Sequence, residues 1–344
     1  MPTQRKRATI KEVAARSGVS VATVSNVLQN KSHLYSPETA ERVWQVVREL
    51  GYRPSSVARS LIRQRTDTIG VVLEERQNVV LDPYVMAVLE GILEYTVPRN
   101  FPVKIISLLY QQEPDSFLAH LDDGSVDGVL LIAPRTHSRA LQWAQQSDVP
   151  AVVVGSTVPD TPLTCVDVDD TSAVHRAVQW LIDLGHGRIG HVAGPQTQWS
   201  ARRRLRAYQR AMQEAGIEPR PEWVAEGQYT PPSGKAAMEH LLCRAPELTA
   251  VVCGNDWMAM GVIEAVYQKG LRIPDDISLV GFDDIDSAQW FTPPLTTIRQ
   301  PMRHIGIKGA EQLLEQMEGG RRGREVTLFP AELVIRQSVS EPKR

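Results

Sequence analysis

Cysteine is scarce in this chain: Cys165, Cys243 and Cys253 are the only three in 344 residues. They are odd in number, scattered and never paired as CxxC, which excludes a disulfide framework and a structural zinc site. Long apolar runs are also missing. No stretch approaches the ~18 residues of a membrane span, and the basic residues at the start lack the apolar segment of a secretory signal. Phosphate-cradling loops are absent as well: no GxGxxG follows the first apolar run, and no GxxxxGK precedes a serine or threonine. With no nucleophile–base pair and no cofactor motif, an enzyme is set aside. His186 and His191 flank a strand start without a third ligand nearby, so a metal is not expected. These absences leave a cytoplasmic protein with no cofactor.

Net charge is small, −2 overall, and taken alone argues against a nucleic-acid partner. Its distribution argues the other way. Residues 1–65 carry 12 Lys and Arg against 4 Asp and Glu, a net of +8, while the remainder carries 26 against 36, a net of −10. A basic segment joined to an acidic body concentrates a phosphate-attracting field at one end, and its binding to DNA should depend steeply on salt.

That basic segment has a legible grammar. Thr9 followed by Glu12 is a capping box that starts a helix. Ser17-Gly18-Val19 breaks it, with Gly18 free to turn left-handed. Ser20 caps a second helix running to about Leu28. Two short helices joined by a glycine-containing turn make a helix-turn-helix. Ala14 is small where the helices cross, and Val13, Val19, Val24, Val27 and Leu28 supply apolar contact. The second helix then turns Val21, Ala22, Thr23, Ser25, Asn26 and Gln29 outward. Val21 and Ala22 suit thymine methyls, Asn26 can donate and accept at a base edge, and Thr23 and Ser25 suit phosphates or bases.

A third helix is marked by Ser36, Pro37 and Glu38, places Ala40, Val43, Trp44, Val47 and Leu50 on one face, and stops at Gly51. Beyond it, Pro54 ends an extended stretch. Ser55 or Ser56 can cap one turn from Val57 through Ala58 and Arg59 to Leu61, too short to be stable alone. Here the sequence resembles the lactose/galactose-repressor family of bacterial transcription regulators, and the likeness runs along nearly the whole chain. The resemblance implies that the short turn is a hinge helix that orders on operator DNA, with Leu61 wedged into the minor groove. It implies contacts to DNA from Thr9 and Ser20 through the hinge residues.

From Thr66 onward the pattern changes. Apolar, β-branched runs (69–73, 103–108, 128–132, 151–155, then 188–193, 250–253, 277–282) alternate with helical stretches such as 86–95, 205–215 and 258–269. Such runs indicate parallel sheets covered on both faces. Two blocks in tandem give two α/β subdomains, about 67–169 with 299–326 and about 170–298 with 327–344. Ligands in this architecture sit beyond the carboxyl ends of the strands, and the resemblance implies a periplasmic-binding-protein-like sensor core of residues 66–344 behind the all-α headpiece of residues 1–65.

The resemblance also assigns candidate effector contacts. Arg204 corresponds to an arginine projected into the cleft, Asn255 opens a strand-to-helix signature, and Asp283 matches a ligand-binding acid. Tyr229 falls where a ring lies against the ligand, Asp82-Pro83-Tyr84 resembles an entry motif, and Asp169 matches a position near the effector. Trp199 and Ser200 share the loop of Arg204. Arginine, asparagine and aspartate together suit a polyhydroxylated, sugar-like ligand; a purine or a partner protein is the alternative. The arginines of 202–210 read as a solvated face or as a pull toward anionic ligands. Glu74-Glu75-Arg76 and Pro98–Pro102 depart from the family pattern near the cleft, which bears on effector identity. The implied assembly is a homodimer on double-stranded DNA, without an appended tetramerising helix.

Overall fold

A computed structural model describes residues 8–52, 65–74, 82–108, 121–320 and 323–343. The hinge residues Ser55, Val57, Ala58, Arg59 and Leu61 lie outside the described residues. The chain divides into two compact units, Met1–Thr66 and Asp67–Arg344.

In the first unit, α1 (Ile10–Ser17) opens with both halves of the capping box. Glu12 N donates to Thr9 Oγ1 at 3.3 Å, and Thr9 N donates to Glu12 Oε2 at 2.7 Å. Gly18 takes φ 66°, a left-handed turn that glycine adopts without a Cβ clash. Ser20 then starts α2 (Val21–Leu28), its hydroxyl accepting from Thr23 N at 3.0 Å. Ser36 caps α3 (Pro37–Leu50). The three helices bury Val13, Ala14, Val24, Val27, Val43, Val46 and Val47 against one another. Trp44, expected on that buried stripe, is 41% exposed, and Val46 takes the inner place. Each residue turns a helix by about 100°, so a stripe centred between Val43 and Leu50 takes in Val46 and Val47, one on each side, but leaves Trp44 outside.

The second unit carries two six-stranded sheets among the described residues. The first contains β1 (Ile69–Glu74), β2 (Val103–Leu108), β3 (Gly128–Ile132), β4 (Ala151–Val154), β5 (Thr164–Val168) and β11 (Val326–Phe329) in the order β11-β5-β4-β3-β1-β2. The second contains β6 (Ile189–Ala193), β7 (Val224–Glu226), β8 (Ala250–Cys253), β9 (Ser278–Asp283), β10 (Thr296–Arg299) and β12 (Glu332–Val334) in the order β12-β10-β9-β8-β6-β7. All pairings are parallel except β10 with β12. The central strands β3, β4 and β8 are buried at every position, as strands with both faces covered by helices must be. Cys253 is one of those core residues, whereas Cys243 is exposed.

The chain crosses between the sheets three times: after β5 into α6 (Asp170–Asp183), after β10 into α10 (Met302–Met317), and after β11 into β12. The last crossing falls beyond Phe329 and not at 327, because Thr327, Leu328 and Phe329 pair with Val166, Asp167 and Val168 of β5. The remaining helices are α4 (Pro83–Thr96), α5 (Arg139–Gln146), α7 (Trp199–Glu214), α8 (Pro231–Arg244) and α9 (Asp256–Gln268). No helix among the described residues is long and apolar enough to cross a membrane.

Candidate ligand cavity and DNA-reading helix

On α2, Val21 is 41% exposed and Ala22 is exposed, while Thr23, Ser25, Asn26 and Gln29 are half-buried. Most hydroxyls of this surface are occupied locally. Thr9 and Ser20 cap their helices, Thr23 Oγ1 lies 2.9 Å from Ser20 Oγ, and Gln29 Nε2 donates to Ser25 Oγ at 2.9 Å. Asn26 makes no side-chain hydrogen bond among the described residues. An amide with both its groups uncommitted can donate and accept at a base edge.

In the second unit the carboxyl ends of the two sheets face each other across a small cavity. It is lined by Asp82, Tyr84, Ala133, Gly155, Asp167, Ser200, Arg204, Tyr229, Asn255, Asp283 and Gln300. Each lining group stands just beyond or at the end of a strand, or at the start of the helix that follows, which is where parallel sheets present ligand contacts.

Arg204, on the second turn of α7, is 6% exposed. Its Nη1 donates to Gly254 O at 2.6 Å, its guanidinium carbon lies 3.5 Å above the Phe282 ring centre, and its Nε is 3.5 Å from Asp170 Oδ2. Asn255 caps α9 by accepting from Met258 N at 2.9 Å and donates to Tyr229 O at 3.4 Å. Asp283 ends β9 and accepts from Gln300 Nε2. Burial pushes the Asp283 carboxyl well above its usual range, with the charges of Asp256 and Asp82 adding to the push and Arg204 opposing it. A carboxyl so placed can donate to or accept from a ligand hydroxyl. Beneath it, Asp256 is fully buried; it accepts from Thr297 Oγ1 at 2.6 Å and Ile285 N at 3.0 Å, and burial raises its pKa to about 7.

The structure brings Tyr84, Ser200, Arg204, Tyr229, Asn255 and Asp283 into one cavity. Two other candidates stand elsewhere. Asp169 spends its side chain capping α6, accepting from Ser172 N at 3.0 Å; β5 ends at Val168, so the chain has already turned away. Asp167, still in the strand, faces the cavity instead. Trp199 packs against an apolar cluster built from Val72, Val129 and Val153 of the first sheet and Leu141 of the helix Arg139–Gln146 and does not line the cavity.

Gln300 and Asp82 are lining residues that sequence reasoning did not select. Asp82 sits inside the quoted Asp-Pro-Tyr motif, but Gln300 follows a strand assigned to neither chemistry nor motif. The Gln300 side chain is buried, and its Oε1 has no partner among the described residues.

Arg203, next to Arg204, spans the cleft. Its Nε and Nη2 pair with Asp170, Nη2 also pairs with Asp167, and Nη1 donates to Thr157 O at 3.0 Å. Within the arginine row of α7, Arg203 and Arg204 are thus both engaged by internal partners. The two histidines are structural. His186 bonds Thr249 Oγ1 and Ser340 O, both at 2.9 Å. His191 Nδ1 donates to Val252 O at 2.9 Å and its ring stacks on Tyr208, with burial lowering its pKa to about 4.

Comparison with known proteins follows the same division of the chain. Residues 9–55 match the model for bacterial regulatory proteins of the lacI family, and residues 178–339 match the periplasmic binding protein-like domain. The chain is 35% identical over 336 residues to the HTH-type transcriptional repressor CytR of Escherichia coli (strain K12), covering 97% of each. It is similar to the lac repressor dimer bound to operator and the anti-inducer ONPF, at 28% identity and a TM-score of 0.85, covering 97% of this chain and 100% of that one. A complex of the transcriptional regulator CelR with cellobiose aligns at 32% identity and a TM-score of 0.76, covering 96% of this chain and 100% of that one.

Proposed function

The chain belongs to the lacI family of bacterial regulatory proteins, and from that footing we propose a cytoplasmic, homodimeric repressor of near-palindromic operators, controlled by a neutral, sugar-bearing molecule in the interdomain cavity. Its relatives are transcriptional repressors, and it is a DNA-binding regulator, not an enzyme. One observation carries the effector reading: Arg204, Asn255 and Asp283 converge with Tyr84 and Tyr229 at strand ends in a single cavity. The polar groups suit hydroxyls that both donate and accept, and a ring offers its face to the apolar side of a sugar. Three carboxyl groups, Asp82, Asp167 and Asp283, line the same space, while Arg204 already has partners. A phosphorylated ligand would meet carboxyl groups there and, among the described residues, no unpaired cation.

Dimerisation is supported by an apolar stripe along α4 and just past its end, where Met86, Leu93 and Val97 are exposed, and by Trp290 at 78% exposure. Twofold symmetry then matches a palindromic site, with the hinge and Leu61 proposed to order at its centre. Effector binding shifts operator affinity only by its differential affinity for the two cleft geometries.

A thermal-shift panel of free sugars, cellobiose, ribonucleosides, sugar phosphates and purine bases tests the effector. Neutral sugars or nucleosides should raise the melting temperature and change operator affinity, and sugar phosphates should do neither. The two tyrosine rings, one from each subdomain, favour a purine as the second reading. A response to purine bases alone would select it. On the DNA side, Asn26→Ala should relax preference at one base position of each half-site by about 10- to 100-fold, leaving non-specific affinity unchanged. Uniform weakening across sequences in a competition assay would reject the base-reading role of Asn26.

A further inference from the structure

Two glycines stand directly behind the cavity's two tyrosines, one in each subdomain. Gly194 follows β6, and a β-carbon built there would overlap Cζ, Cε1 and Oη of Tyr229. Gly155 follows β4, and a β-carbon there would overlap Oη of Tyr84 and stand 2.9 Å from its Cζ. Gly155, Tyr84 and Tyr229 line the cavity, and Gly194 stands one residue past the end of β6. The phenol end of each ring thus meets bare backbone. Tyr229 is further constrained. Its backbone has φ 59°, unusual for a non-glycine residue, and it is 6% exposed. Its carbonyl accepts from Asn255, and its hydroxyl is 3.5 Å from Ser200 Oγ. A left-handed aromatic residue persists only where its surroundings over-determine it, and such residues gather at ligand clamps.

We propose that Gly194 and Gly155 are positioning residues that set the width of the cavity. They let the rings of Tyr229 and Tyr84 recede to the strand ends, and any side chain at either place drives a ring toward Asp283 and Arg204. A close-packed interior cannot absorb a methyl group without shifting a neighbour. The movable neighbour at Gly194 is the tyrosine ring, since the three nearest atoms all belong to it. Gly194 acts through Tyr229 and does not line the cavity, whereas Gly155 stands on its wall beside Tyr84. This rests on the cavity being the effector site.

Gly194 provides the cleaner test, because Gly155 has φ +73° and any substitution there is strained whatever the space. Gly194→Ala in the full chain should lower the melting temperature by about 5 °C or more. In a Tyr229→Ala background the same change should shift it by about 1 °C or less, since the overlapping atoms are gone. With 3-fluorotyrosine incorporated, the 19F resonance assigned to Tyr229 by its loss in Tyr229→Phe should move in Gly194→Ala. If Gly194→Ala alone fails to fold, recovery of a folded Gly194→Ala/Tyr229→Ala protein supports the seat. Equal losses in both backgrounds, or an unmoved Tyr229 resonance, overturns it. The effector reading fails separately: D-ribose, adenosine and cellobiose at millimolar concentration would leave the wild-type Tyr229 resonance unshifted while the coupling between the two positions stands.

Discussion

Arg204→Ala is expected to weaken the effector response by about 30- to 100-fold while leaving operator affinity without effector unchanged. The guanidinium sits on the Phe282 face with one amine fixed to Gly254 O, and its Nε has no hydrogen-bond partner among the described residues. A charged donor held this rigidly contributes about 2–3 kcal/mol to a ligand hydroxyl, which sets the scale of the loss. Asp170 keeps Arg203 as a partner in the variant, so the carboxylate is not stranded and the fold survives. Fluorescence anisotropy on operator DNA, titrated with a compound from the thermal-shift panel, measures both quantities. A response within about threefold of wild type would move the effector site away from Arg204.

Arg203→Ala acts on the cleft itself and should lose about 3–5 kcal/mol of stability, the scale for stranding a buried charge. Its partners Asp167 and Asp170 are 3% and 1% exposed. The melting temperature should fall by roughly 10 °C. The deficit is also pH-dependent. Burial already raises the Asp167 carboxyl above its usual range, with Arg203 pulling it down. Removing Arg203 raises it further. A carboxyl with a raised folded pKa favours the fold below its unfolded pKa and loses that advantage as pH rises through the folded one. The gap between variant and wild type should therefore narrow as pH falls from 7 to 5. A gap that is constant or widens over that interval would contradict the stranded-carboxylate account. Arg203→Lys should recover only part of the loss, because an ammonium cannot reproduce the fork across two carboxylates and a carbonyl.

These two neighbours show what the sequence reveals and what it withholds. Helix starts are local, so Thr9-Glu12, Ser20 and Ser36 announce caps that the structure forms with the expected atoms. Buried strands are nearly local too, because a short β-branched run has few alternatives. The cavity is different: its lining comes from positions 82 to 300, and nothing in composition says which strand ends meet. Arg204, Asn255 and Asp283 were legible through family likeness, which encodes that convergence. Asp167 and Asp169 lie two residues apart, and only the end of β5 at Val168 decides that one faces the cavity while the other caps a helix. The latch role of Arg203 was invisible for the same reason, since its partners lie 33 and 36 positions away. Trp44 was misplaced by the width allowed to a helical stripe.

The interleaved path of the second unit carries a consequence for how the protein is made. Each sheet receives one of its edge strands from a late stretch of the chain, β11 at 326–329 and β12 at 332–334. Neither half can finish while the ribosome still holds those residues, so both wait with unpaired edges until they emerge. Exposed strand edges invite pairing between chains, so until those two strands emerge a nascent copy of this protein needs shielding from its neighbours on the same message.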